Sequence, residues 1–205
     1  MNLKTLAPLL FGLSMVGSAA LAASAAVGQA APAFSAVDTS GKRVSLADFQ
    51  GKTVVLEWVN PECPYVRKHY DSANMQAAQK AATAQGVVWL SVNSTHASHV
   101  EFKKPAEMLA WTQKQGAAPS TTLMDGEGKI GRAYGARTTP HLYVIDAKGT
   151  LVYAGGIDDK PSANPADVKS AKNLVNAALA DVLAGRAVAQ AVTRPYGCSV
   201  KYADS

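Results

Sequence analysis

The chain has 205 residues, 48% of them hydrophobic and 17% charged, with a formal net charge of +5. That balance excludes a disordered or fibrous protein and supplies enough apolar material for one packed core. The basic excess is small, and no Lys/Arg cluster is interleaved with aromatic residues, so nothing points to a nucleic-acid partner.

Residues 1–22 read as a secretory signal peptide. Lys4 gives the positive start, Leu6 to Val16 the apolar stretch, and Ala20-Leu21-Ala22 a small-x-small cleavage site, with Ala23-Ser24-Ala25 as a second candidate. The run is short for a membrane span, and no later stretch is long enough to cross a bilayer. The expectation is an exported protein, periplasmic or secreted, without a stable span after cleavage.

Residues 23–31 read as a small-residue linker, residues 32–185 as one domain, and residues 186–205 as an irregular tail. Phe34 to Val37 and Lys42 to Val44 flank a turn and predict a hairpin. Thr53 to Val59 is a nearly continuous apolar run, the mark of a strand buried on both faces. Asn60-Pro61-Glu62-Cys63-Pro64 breaks it. From Tyr65 to Gln85 the pattern is helical, with Val66, Tyr70, Ala73, Ala77 and Ala81 on the apolar side. Val87 to Val92 is a second buried strand, Ala106 to Gln115 a helix, Thr121 to Met124 a short strand, and Ile130 to Tyr134 a helical turn. His141 to Ile145 and Thr150 to Ala154 form a second hairpin. Pro165 opens a long helix to about Leu183. Strands alternating with helices give an α/β domain with a central mixed sheet flanked by helices.

The chemistry centres on Cys63, which follows a buried strand and opens a helix. Ligands gather at the carboxyl ends of strands in open α/β sheets. Helix N-termini carry unpaired amides and positive potential, which favour thiolate over thiol. Arg67 and Lys68, one turn on, add positive charge, and Glu62 opposes it. Pro64 suits the first helical turn. The plain alternative is a buried inert cysteine.

The stretch from Val27 to Tyr70 resembles the opening of the peroxiredoxin/redoxin group, the alkyl hydroperoxide reductase/thiol-specific antioxidant type, within the thioredoxin-like superfamily. Ala31-Pro32-Ala33-Phe34 is similar to its entry strand, and Leu46 to Lys52 to its L-x-x-F-x-G-K segment. Tyr134 to Asp159 resembles the thioredoxin Thr-Pro turn, strand and hairpin, and Pro195 to Tyr202 the tail of a peroxiredoxin-like subgroup. The resemblance implies a thioredoxin fold with an N-terminal hairpin. It also implies a nucleophilic Cys63 and a cis Thr139-Pro140 turn facing it, where the Thr139 backbone could pair with an extended peptide. Two departures stand out. Val66 replaces the second cysteine of Cys-x-x-Cys, and Asn60 and Pro140 stand where peroxidases carry Thr or Ser and Arg.

Cys198 is the one other cysteine, 135 positions on. It can resolve an oxidised Cys63, form a permanent staple or stay free. Trp58, Asn60, Pro61, Glu62, Thr139 and Pro140 are expected to shape the contact surface, with Trp58 as a wall. His69, His96, His99 and His141 are too scattered to predict a metal site, although His141, next to Pro140, could approach Cys63. The expectation is a thiol oxidoreductase that needs no cofactor. Its partners would be a protein thiol or disulfide, or a hydroperoxide, with an external thiol as reductant. The rival is a non-catalytic binding protein stapled by Cys63–Cys198.

Overall fold

The computed structural model describes residues 25–203, so the expected signal peptide lies outside the described residues. The strands are β1 (Ser35–Asp38), β2 (Arg43–Ser45), β3 (Val54–Trp58), β4 (Val88–Asn93), β5 (Thr121–Met124), β6 (Thr138–Thr139), β7 (His141–Ile145), β8 (Leu151–Gly155) and β9 (Cys198–Ser199). The helices are α1 (Pro64–Asp71), α2 (Asn74–Thr83), α3 (Pro105–Lys114), α4 (Lys129–Tyr134) and α5 (Leu174–Leu183).

The three longest apolar runs become the middle of one sheet ordered β2-β1-β5-β4-β3-β7-β8. β3 lies parallel to β4 and antiparallel to β7, and every residue of all three is buried. The hairpin β1–β2 joins this sheet through Val37↔Met124 and Asp38↔Leu123. The period of two along β3 sorts its side chains into two layers. Val55 and Val59 meet α1, α2, α3 and α5 through Val66, Tyr70, Met75, Met108 and Val175. Val54, Leu56 and Trp58 face the other way, against Tyr134 of α4, Tyr143 and Ile145. No helix among the described residues is long and apolar enough to cross a membrane.

Three local expectations change. The helix expected from Tyr65 to Gln85 breaks at Ser72-Ala73, where Ala73 adopts a left-handed φ of 57°. The Ser72 hydroxyl donates to the Lys68 carbonyl (2.7 Å). The break rephases α2, so Met75, Ala78 and Ala82 are buried while Ala73, Ala77 and Ala81 are exposed. The helix expected from Pro165 also splits. A 3-10 segment, Pro165–Ser170, ends before Asn173, whose side chain accepts from Asn176 N (2.8 Å) and starts α5 afresh. Residues 28–31, expected as linker, lie along the β7–β8 hairpin, with Gly28 N bonded to Leu151 O (2.8 Å) and Ala31 N to Gly149 O (2.9 Å), while Ala25 N bonds to Ala133 O of α4 (3.0 Å).

Glu57 is the one acid in β3, and its side chain is fully buried in the helix layer. Tyr70 Oη (2.8 Å), Trp89 Nε1 (2.8 Å), Gln79 Nε2 (3.0 Å) and Ser91 Oγ (3.3 Å) donate to its carboxylate. Burial pushes its pKa up from 4.5, against the effect of these donors. Its contribution to stability is therefore complete below pH 4.5 and is lost as pH rises through the folded value. His141 has the opposite sign. Burial, aided by the Arg137 charge, pushes it down from 6.5 to about 4. Its contribution is complete above pH 6.5 and is lost as pH falls through about 4. Urea unfolding across this range is expected to show Glu57→Gln removing part of the loss on raising pH. His141→Gln should lessen the loss on acidification from neutral pH by roughly 3 kcal/mol. Unchanged slopes would contradict these assignments.

Candidate active site at Cys63 and Cys198

The turn after β3 is set by Asn60. Its Oδ1 accepts from Glu62 N (3.0 Å), its Nδ2 donates to Glu101 (2.6 Å), and Cys63 N closes onto Asn60 O (3.1 Å). Cys63 is the N-cap of α1 in extended conformation, and Pro64 takes the first helical position. Its carbonyl accepts from Val66 N and Arg67 N, both at 3.0 Å. Its sulfur makes no capping bond to the helix amides. Instead Sγ donates to the Thr139 carbonyl (3.0 Å). A carbonyl only accepts, so this contact belongs to the S–H form.

Cys63 is 1% exposed, not open at a sheet edge. What covers it is the tail, which runs as an ordered strap. Thr193 N bonds to Ala154 O (3.1 Å), and Val200 N bonds to Arg137 O (3.0 Å). His96 N bonds to Lys201 O (2.8 Å), and Tyr202 Oη donates to Ala136 O (2.8 Å). Between these anchors β9 pairs antiparallel with β6, with Cys198 opposite Thr139. The Thr139-Pro140 peptide is cis. Thr139 is thus shared: its carbonyl takes the Cys63 thiol, and its strand position takes Cys198.

Neither cysteine is bonded to another, and Cys198 packs against the apolar cluster that holds Cys63. Burial first, then the hydrogen bond and charge of Cys63, push the Cys198 pKa up to about 12. Gly197 makes this approach possible. Its φ is +142°, and a Cβ there would lie 2.0 Å from Thr139 O. Gly197→Ala is therefore expected to lift β9 from β6 and to slow formation of a Cys63–Cys198 bond at least tenfold, measured by quenched alkylation after an oxidant pulse. An unchanged rate would show that this close contact is not needed.

The other residues expected around the sulfur are less uniform. Pro61 and Glu62 do border the turn. Glu62 pairs with Lys103 (2.7 Å) and Arg67 (2.7 Å), and Lys103 foremost holds its carboxyl below the usual range. Arg67 also donates to Pro61 O (3.0 Å), so it serves the turn. Trp58 does not wall the site. Its side chain points into the opposite layer, 0% exposed, with Nε1 donating to Ser94 Oγ (3.0 Å) and its ring against Tyr143 (5.2 Å). His141 also lies on that side, stacked on Tyr143 (4.5 Å), and does not approach Cys63. Among the described residues no group of three His, Cys, Asp or Glu is placed to hold a metal.

Sequence reasoning missed a buried polar cluster that meets the strap two residues before Cys198. Lys68 Nζ, fully buried, donates to Asp158 Oδ2 (3.2 Å), Lys160 O (2.7 Å) and Tyr196 Oη (3.1 Å). Tyr196 Oη donates to Asp158 Oδ1 and also contacts His69 Nε2 (3.1 Å). Burial, aided by Lys68 and opposed by Asp158, pushes His69 down to about 4 and keeps it neutral. The readable signal was Lys68-His69 standing beside Val66 and Tyr70 on the inward side of α1.

Residues 27–154, which carry the turn, Cys63, Thr139 and Pro140, match the AhpC/TSA family. The chain belongs to the AhpC/TSA family. Cys198 and Tyr196 lie beyond the matched residues. The chain is similar to the thiol-disulfide oxidoreductase ResA of Bacillus thuringiensis subsp. konkukian, 25% identical over 62% of this chain and 67% of that one. It is also similar to the thiol:disulfide interchange protein DsbE of Yersinia pestis, 28% identical over 67% of this chain and 69% of that one. The crystal structure of a hypothetical protein from Sinorhizobium meliloti 1021 superposes with a TM-score of 0.73 at 25% identity, covering 89% of this chain and 97% of that one. The AhpC/TSA assignment and these likenesses agree with the mixed sheet and flanking helices expected of a thioredoxin-like domain.

Proposed function

We propose that this AhpC/TSA-family protein is an exported thiol-disulfide oxidoreductase, periplasmic or secreted, that works through Cys63 and Cys198. The observation that carries the reading is the shared use of Thr139, which brings a half-buried thiol from the tail against a buried thiol at the helix start. The family match and the likeness to ResA and DsbE support the same chemistry. Export rests on the leader pattern at residues 1–22.

In the proposed cycle β9 lifts and the Cys63 thiolate attacks a partner disulfide. A Cys63–partner bond forms, the partner's other sulfur leaves as thiolate, and the Cys63 proton passes to solvent. Cys198 then attacks Cys63 Sγ, forming Cys63–Cys198 and expelling the partner thiol, which takes up a proton. An external thiol reduces the pair again. The raised pKa of Cys198 orders these steps. While Cys63 is free, Cys198 remains a thiol at neutral pH. Burial, the first cause of the raised value, is relieved when β9 lifts, so Cys198 gives up its proton more readily in the opened mixed disulfide.

Disulfide exchange is favoured over fast peroxide reduction because Asn60 and Pro140 replace two residues of the peroxidase pattern. The Asn60 side chain is already committed to Glu62 and Glu101. Non-reducing mass spectrometry of protein treated with one equivalent of a disulfide oxidant is expected to find the Cys63 and Cys198 peptides linked. Two alkylatable thiols after that treatment would overturn the reading.

A further inference from the structure

We infer that Tyr196 is a positioning residue that latches Cys198 over Cys63 through the buried Lys68–Asp158–His69 cluster; this rests on the proposed roles of the two cysteines. β9 is two residues long and pairs only with the two-residue β6 among the described residues. So short a pairing needs anchors on both sides, because ordering each residue costs more than one net hydrogen bond returns, and Val200, Lys201 and Tyr202 supply them only downstream of Cys198. The next fixed point upstream is Tyr196, with Gly197 between it and Cys198.

Tyr196 is held on both of its parts. Its hydroxyl donates to Asp158 and faces Lys68 Nζ (3.1 Å) and His69 Nε2 (3.1 Å). Its ring packs edge-on to Tyr65 (5.8 Å), which follows Pro64 on α1. Lys68, His69 and Tyr65 all belong to the helix that Cys63 caps. Asp158 sits in the loop after β8, bridged to Asn173 at the start of α5. The hydroxyl therefore ties the strap directly to the helix that carries the nucleophile, beside the β6 pairing that sets Cys198 opposite Thr139. Lys68 and Asp158 are 0% and 1% exposed, so the hydroxyl also completes the shell of a buried ion pair. Release of Tyr196 leaves those charges short of a partner, which holds the latch shut.

Such a latch moves two rates in opposite directions. Loosening it uncovers Cys63, so attack on an external disulfide speeds up. It also frees the upstream side of Cys198, which Val200, Lys201 and Tyr202 do not hold, so closure of the internal bond slows. A thiol released on one side samples more positions than one fixed on both, so it meets the Cys63 sulfur in attacking geometry less often.

The test uses the mature chain and 5,5′-dithiobis(2-nitrobenzoate). Cys63 thiolate forms a mixed disulfide and releases one thionitrobenzoate. Cys198 then displaces the second, forming Cys63–Cys198 and giving up its proton. In a Cys198→Ser background only the first release occurs, which isolates attack from closure. With both cysteines present, Tyr196→Phe is expected to slow the second release at least tenfold; in the Cys198→Ser background it should make the first faster. Tyr196→Leu, which also removes the ring contact, should exaggerate both effects. A second release as fast as wild type in Tyr196→Phe overturns the latch. Slowing of both releases by the same factor also overturns it, since that marks a general loss of structure. Absence of the first release in the wild type refutes the reading of Cys63 and the latch with it.

Discussion

Cys63→Ser is expected to abolish disulfide exchange, a loss on the order of a thousandfold or more, while leaving the fold intact. A serine hydroxyl is neither the nucleophile nor the electron donor that the cycle requires. Its effect on packing is small, because the side chain keeps its shape and can still donate to the Thr139 carbonyl. Cys198→Ser should behave differently. Attack by Cys63 survives, closure is lost, and partners accumulate as mixed disulfides that can be captured and sequenced. Turnover of a model disulfide with an excess thiol reductant measures both variants. If Cys63→Ser kept a tenth of the wild-type rate, the nucleophile would be elsewhere. If Cys198→Ser trapped nothing and turned over normally, an external thiol would do the resolving.

The largest effect on stability is expected at Lys68. Lys68→Met keeps much of the stem's bulk but leaves the Asp158 carboxylate, 1% exposed, without its cation. Breaking one half of a buried ion pair costs about 3–5 kcal/mol. Tyr196 Oη still donates to Asp158, so the lower part of that range is the sharper expectation. Adding Asp158→Asn should restore part of the loss, because the remaining group is polar but uncharged. Denaturant titration of Lys68→Met, Asp158→Asn and the double variant gives the coupling directly. A single-variant loss below about 1 kcal/mol would mean that water reaches the cluster.

The centre of the sheet was legible because β3, β4 and β7 are buried on both faces and so carry unbroken apolar runs. The place of Cys63 at the first turn of a helix was legible for a related reason: a strand signal ends and Pro64 begins something else. Trp58 shows where this logic stops. Its nearness in sequence suggested a wall of the site, yet strand alternation sends residue 58 to one layer and Val59, with the turn after it, to the other. The break at Ala73 was invisible because alanine carries no turn signal, and the Ser72 hydroxyl that bonds back to the Lys68 and His69 carbonyls beside it is equally at home inside a helix. Long-range partners were beyond reach as well. Lys68 meets Tyr196 across 128 positions. Glu57 draws donors from α1, α2 and β4, which only the folded chain brings together. The tail looked irregular because a strand of two residues has no period, although Gly197 beside Cys198 marked a close backbone approach.

The reduction potential of the Cys63–Cys198 pair, measured by equilibration against graded dithiol buffers with trapping by alkylation, bears most directly on the central claim. A working pair is expected to titrate reversibly at a potential above about −300 mV, within reach of an external thiol donor. A bond that stays closed below that value would make the pair a permanent staple, and two thiols that never join would leave Cys198 outside the chemistry.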